Sequence, residues 1–414
     1  MSGRLLSTLV TVLLMLVFSA QAAQAQMSDT PNLTLNGFGT VGVVHSDENQ
    51  ADFAANILAP KGAGYTSDWS AEVDSRLGLQ LTASLTPRLS SVVQVISEQR
   101  YDGTYKPKVE WANVRFEITP DFSVRAGRMV QSTFMSSEYR KVGYATPWVR
   151  PPLEVYRMIP VTNFDGLDAS YRSRIGDVTH TLRGTYGKAD ARYQGGGTAE
   201  AREAMGLAST LEWGATTLFA SYGQYRLTIE ELNPFFDGFR FFGPEGEAIA
   251  DRYDVDDKRF EVISFGARYD PGDWFLMGEW ARSDSQTLIG DLRGWYVTGG
   301  VRVGAVTPYV TVARASVSSN LSDPGLSTEW MPPEWLPTAE LFNETLNHLL
   351  LSSARQRSLS LGARWDFARN MALTAQYDHI DIDGGSQGIL LNLQPGFEPG
   401  GTVNLFSLAL DFVF

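Results

Sequence analysis

Residues 402–414 read Thr-Val-Asn-Leu-Phe-Ser-Leu-Ala-Leu-Asp-Phe-Val-Phe, and the alternation within them decides the fold. Phe406, Leu408, Leu410, Phe412 and Phe414 fall on one face of an extended chain, and Ser407, Ala409 and Asp411 on the other. A strand with one apolar face needs an apolar medium against that face. The sequence ends on this strand, so no later hairpin can close it; its partner must come from earlier in the chain.

Working back from that strand, the same alternation recurs at 33–44, 72–85, 89–98, 108–119, 122–128, 166–174, 178–188, 204–213, 217–228, 259–270, 274–283, 294–303, 306–316, 356–367 and 371–382, which with 402–414 makes sixteen strands. In the second, Val73, Leu77, Leu79, Leu81, Ala83 and Leu85 oppose Asp74, Arg76, Gln80, Thr82 and Ser84. In the fourth, Ala112, Val114, Phe116 and Ile118 oppose Asn113, Arg115 and Glu117. The connections alternate between tight turns, such as Pro120-Asp121 and Gly214-Ala-Thr216, and much longer segments. Phe122, Trp213, Tyr269, Trp274, Trp365, Phe367 and Phe414 all flank the tight turns, as an interfacial belt of aromatic rings would. This predicts an all-β fold, a transmembrane antiparallel barrel with short turns on one rim and long loops on the other. Sixteen strands enclose an aqueous channel, whereas eight would be filled by their own side chains.

The remaining composition is compatible. Arg4 followed by an apolar run from Leu5 to Phe18 and Ala-x-Ala sites predicts an export signal over 1–25, leaving 26–414 as one barrel. The run is too short to span a bilayer, which takes roughly 20 residues. Absence of Cys suits passage through an oxidising compartment. A formal charge of −13 argues against nucleic acid as a partner. Acid is concentrated in two long connections, 230–257 and 323–344, where it would be solvated or would hold divalent cations against lipopolysaccharide. Within the second, apolar residues between 338 and 352 predict a short helix.

Over its mature length the chain resembles the general porins of Gram-negative outer membranes, on the strength of the terminal Phe strand, the strand number and the alternation of turns and loops. The resemblance implies an outer-membrane location, a homotrimer, contact with outer-membrane lipid and lipopolysaccharide, and recognition of Phe414 as an assembly signal by the barrel assembly machinery. It also implies that the loop after the fifth strand, 129–164, folds inward as the pore constriction. That loop carries Tyr139, Arg140, Lys141, Tyr144, Trp148, Arg150, Glu154 and Arg157, and is net positive. Parity aims Arg76, Arg115, Arg125, Arg172, Arg302 and Arg364 from the wall toward the lumen. Basic rings favour anions, although the same arginines could instead pair with inward Asp74, Glu117, Asp168 and Asp366. The acidic loop sequence of enteric porins is missing.

Passive diffusion of ions and small hydrophilic solutes is the expected activity, with no cofactor and no metal. A substrate-specific channel of the same architecture, for a sugar, aromatic acid or anion, is the alternative, because Tyr139, Tyr144, Trp148 and Tyr156 could stack on a ring. An enzyme is not expected. His45, His180, His348 and His379 are the complete histidine set, and none lies in a nucleophile or metal motif.

Overall fold

The computed structural model describes residues 32–318, 322–329, 331–350 and 354–414. The expected export signal lies outside the described residues. Sixteen long strands form one closed antiparallel barrel: β1 Asn32–Ser46, β2 Arg76–Thr86, β3 Leu89–Glu98, β4 Lys108–Thr119, β5 Phe122–Val130, β6 Asn163–Ile175, β7 Val178–Arg192, β8 Thr198–Trp213, β9 Thr216–Ile229, β10 Lys258–Tyr269, β11 Trp274–Ser285, β12 Leu292–Val301, β13 Val306–Val317, β14 Gln356–Ala368, β15 Met371–Ile382 and β16 Gly401–Val413. Each pairs with its sequence neighbours, and β1 closes the ring against β16 in the register Gly39 to Phe412 and Thr40 to Asp411. Closure leaves no strand edge unpaired, the condition for spanning lipid with sheet.

The alternation maps onto the two surfaces. Leu79, Leu81, Val114, Phe116, Leu359, Leu361 and Trp365 are exposed on the outside, while Thr40, Ser221, Thr311 and Asp411 are buried inside. Around the short-turn rim Trp213 is 63% exposed, Tyr269 and Trp274 pack at 5.3 Å, and Trp365 and Phe367 at 5.4 Å. The turns there need left-handed backbone, supplied by Gly176 at φ +59° and by Asn370 at φ +63°.

The closing seam has its own packing. The rings of Phe412 and Phe414 stack 6.3 Å apart and lie directly over Gly39 and Gly37, where any Cβ would collide with them. Phe412 is consequently 6% exposed, against 41% for Phe406 of the same row. Gly37 and Phe414 exchange backbone hydrogen bonds at 2.8 and 2.9 Å.

Three features depart from the sequence expectation. Val73 is not on the lipid face of β2; the strand starts at Arg76, and Val73 packs inside with Phe53, Ile380 and Leu405. The loop 230–257 is not merely solvated acid. It folds into α2, Asn233–Arg240, and α3, Pro244–Tyr253, after α1, Leu153–Tyr156, in the inward loop. Phe235 and Phe239 of α2 meet Phe342 of α4, Leu336–Leu350, at 5.3 and 5.1 Å in an aromatic cluster above the barrel. Arg240 gathers Asp237 and Asp254 at 3.0 and 2.5 Å, so part of the acid is neutralised from within. Finally, β8 begins six residues before the expected 204, because an extra residue at Glu203, φ +49°, bulges the strand and lets pairing resume from Arg202 to Thr198.

Candidate functional site

The segment between β5 and β6 runs inside the barrel and is fastened to the wall along its length. Ser221 of β9 donates to the carbonyl of Thr133 at 2.6 Å, and the amide of Met135 donates to Glu279 of β11 at 2.7 Å. Trp148 donates from Nε1 to Thr298 and Thr311 at 3.0 and 3.1 Å. Glu154 accepts from Gln356 and Ser358 of β14, both at 2.7 Å. On the far side Lys141 reaches Glu98 of β3 at 2.6 Å and Glu110 of β4 at 3.1 Å, and Thr162 hydrogen-bonds Glu110. A loop held by β3, β4, β9, β11, β12, β13 and β14 is a fixed partition within the lumen.

The basic residues of this partition differ in their partners. Arg150 is buried and paired with Asp74 through Nε and Nη2 at 2.9 and 2.6 Å, with Asp378 at 3.4 Å and Ser407 at 2.7 Å. It is a tie to β15 and β16 rather than a free cation. Burial works against the charge of Lys141, but Glu110 and Glu98 outweigh it and hold its pKa above the ordinary lysine value. Among the described residues Arg140 donates to the carbonyl of Ile159, at 3.3 Å, and at the limit of reach to that of Tyr156. Among the described residues Arg157 makes no side-chain hydrogen bond, and its Nη1 is buried without a partner. Burial pushes the Arg157 guanidinium down to about 10, which leaves it protonated at neutral pH.

Wall arginines divide the same way. Arg125 pairs with Asp168 at 2.9 Å, Arg115 with Glu117 at 3.4 Å and Arg364 with Asp366 at 2.8 Å. Arg302 bonds Asp270 at the short-turn rim, below the partition. Arg172 is exposed on β6. Arg76 donates from Nε to the backbone carbonyl of Asp74 at 3.3 Å. Among the described residues Arg76, Arg140 and Arg157 form no ion pair. These three line one compartment of about 110 Å³ together with Lys141 and Arg150.

The aromatic residues of the loop serve its packing. Trp148 is 1% exposed, wedged edge-on against Tyr296 at 5.6 Å, and Tyr156 is buried on Phe134 at 5.0 Å while its hydroxyl bonds Glu279. Neither ring has a face left for a solute. Tyr139 is half-buried beside Ser136, and the ring of Tyr144 lies under the Arg364 guanidinium at 4.8 Å.

Sequence parity missed a second set of residues. Toward the long-loop rim the outward positions of β7 to β9 turn polar, with Asp190, Glu200, Arg202 and Arg226, while Ala191, Ala199, Ala201 and Leu227 line an internal cavity. The bulge at Glu203 is the cause in β8: it shifts the parity by one residue and turns Ala199 and Ala201 inward. The signal that could have found this set is apolar side chains on the lumen row of β9 and β10, Leu227, Ile229, Phe260 and Val262, where a water-filled barrel would carry polar ones.

No family model matches the sequence, and no curated protein sequence does. Solved structures do match in fold. The outer membrane channel DcaP of Acinetobacter baumannii superposes with a TM-score of 0.57 at 10% identity, over 94% of this chain and 99% of that one. Salmonella typhi OmpF, solved with daunomycin, gives 0.55 at 13% identity over 94% and 99%. Outer-membrane OmpT of Vibrio cholerae gives 0.51 at 11% identity over 94% and 100%. With a closed ring of sixteen antiparallel strands and these neighbours over almost its full length, the chain has the fold of the outer-membrane porins.

Proposed function

We propose that the protein is a Gram-negative outer-membrane porin, a water-filled channel through which ions and small solutes diffuse passively, with 131–162 as its constriction. The observation that carries this is the pairing of an apolar, aromatic-belted exterior with a lumen crossed by a loop fastened to the wall at Asp74, Glu98, Glu110, Glu279 and Thr298. An exterior of that kind is stable only in lipid, and a partition held in place sets what passes. A trimer, insertion by the barrel assembly machinery and contact with lipopolysaccharide belong to the same reading, as does the absence of catalysis.

Planar bilayer recording on the full-length mature protein tests it. Stepwise openings in KCl, together with outer-membrane fractionation of a heat-modifiable band, are expected. Insertion without discrete openings would overturn the channel. A second reading, preference for a particular solute, is favoured by the apolar cavity on the long-loop side of the partition.

A further inference from the structure

Between the inward loop and the long-loop rim lies a cavity of about 490 Å³, within the range of small-molecule sites. Its walls are unlike a channel built for water. Tyr225, Leu227, Ile229, Phe260 and Val262 face it from β9 and β10, and Met158, Ile159 and Val161 from the inward loop. A sugar placed here would lose hydrogen bonds to water and find few replacements. A hydrocarbon or aryl group would lose nothing.

This cavity adjoins the basic compartment. Ile57, Leu153, Arg157 and Pro160 line both, so they form the boundary between them. Arg157 therefore stands where the apolar space meets Arg76 and Arg140. Its buried Nη1 has no acceptor among the described residues, a costly arrangement for a charged donor. The acid nearest in sequence, Glu154, already accepts from Gln356 and Ser358 of the wall. A group with an apolar body and one anionic end would meet both needs at once.

We infer that the two compartments together bind an amphipathic monocarboxylate, with its apolar body in the cavity of β9 and β10 and its carboxylate at Arg157. The inference rests on the channel reading and gives it a substrate class. The partition then selects for solutes that carry both features. Small polar anions lack the body, and neutral hydrocarbons lack the head.

The test is current block of the reconstituted full-length protein by butanoate, hexanoate and octanoate, with 1-octanol as the neutral control for partition into the bilayer. Block is read as a fraction of each variant's own open current. The blocking concentration should fall about fourfold for each methylene added. Arg157→Gln should weaken octanoate block about tenfold and leave the octanol response as it was. Leu227→Asn should flatten the dependence on chain length while retaining some block. Block independent of chain length in the wild type, or equal octanoate block in the wild type and Arg157→Gln, overturns the inference. The wild-type series needs no variant to fold. Openings without any octanoate block refute this site alone, whereas absence of openings refutes the channel itself.

Discussion

Arg150 and Asp74 meet through two parallel hydrogen bonds, at 2.9 and 2.6 Å, across 76 residues of sequence. Both are buried, so each neutralises a charge that water cannot reach. Removing one partner leaves the other stranded. Arg150→Gln is expected to cost about 3–5 kcal/mol, and Arg150→Met with Asp74→Leu to recover most of it. Chemical denaturation in detergent micelles measures both. Equal stability of the single and double variants would show that the pair does not act as a unit.

Deleting Phe414, or replacing it with Asp, is expected to lower the assembled barrel in the outer membrane several-fold. The ring covers Gly37, and a charge in its place would face the interfacial region. The amount of heat-modifiable band in outer-membrane fractions is the measurement. An unchanged amount would deny the terminal ring any part in assembly.

Selectivity should follow the unpaired cations, because a carboxylate at 2.6–2.9 Å cancels most of the field of Arg150 or Arg125. At the partition, among the described residues, Arg76, Arg140 and Arg157 remain. A modest anion preference is expected under a salt gradient, lost in Arg76→Gln with Arg157→Gln and unaltered in Arg115→Gln. A wild-type reversal potential on the cation side would assign the filter instead to inward carboxylates.

At the short-turn rim, the hydrogen bond from Arg302, joined by Arg268, holds the Asp270 carboxyl well below the usual carboxylate range. A depressed native pKa contributes stability that is present above the unfolded value of about 3.9 and is lost as pH falls from there toward the native one. Wild type should therefore lose more stability than Asp270→Asn between pH 5 and pH 2. The midpoint temperature of heat modification, followed against pH, checks this. Parallel curves would remove Asp270 from the account.

The sequence was legible wherever structure is local. Leu89–Glu98, Lys108–Thr119 and Met371–Ile382 match their expected spans to the residue, because a tight turn pins one end of each and the alternation of apolar and polar residues runs on from it. The constriction segment was legible as a loop, but its charges were not legible as pairs. Arg150 with Asp378 is a contact across 228 residues, and period and parity carry no information at that range. The upper part of β8 was lost for a different reason. A single left-handed Glu203 resets the parity, so the alternation that identifies a strand breaks in the middle of one. The helices α2 and α3 were hidden by their acid, which Arg240 and Lys258 counter within the fold.

The two glycines under the terminal rings make the last seam its own gauge. β16 can slide along β1 only in steps of two residues if its apolar row is to stay outside. One such step would bring Phe412 opposite Val41 or Gly37 in place of Gly39, and would leave one of the two rings without its hollow. The barrel thus zips shut in a single position, recognised by shape rather than by hydrogen bonds, which every register would satisfy equally. A chain that has joined its ends wrongly carries an aromatic ring standing proud of the wall, a visible mark of an unfinished cylinder.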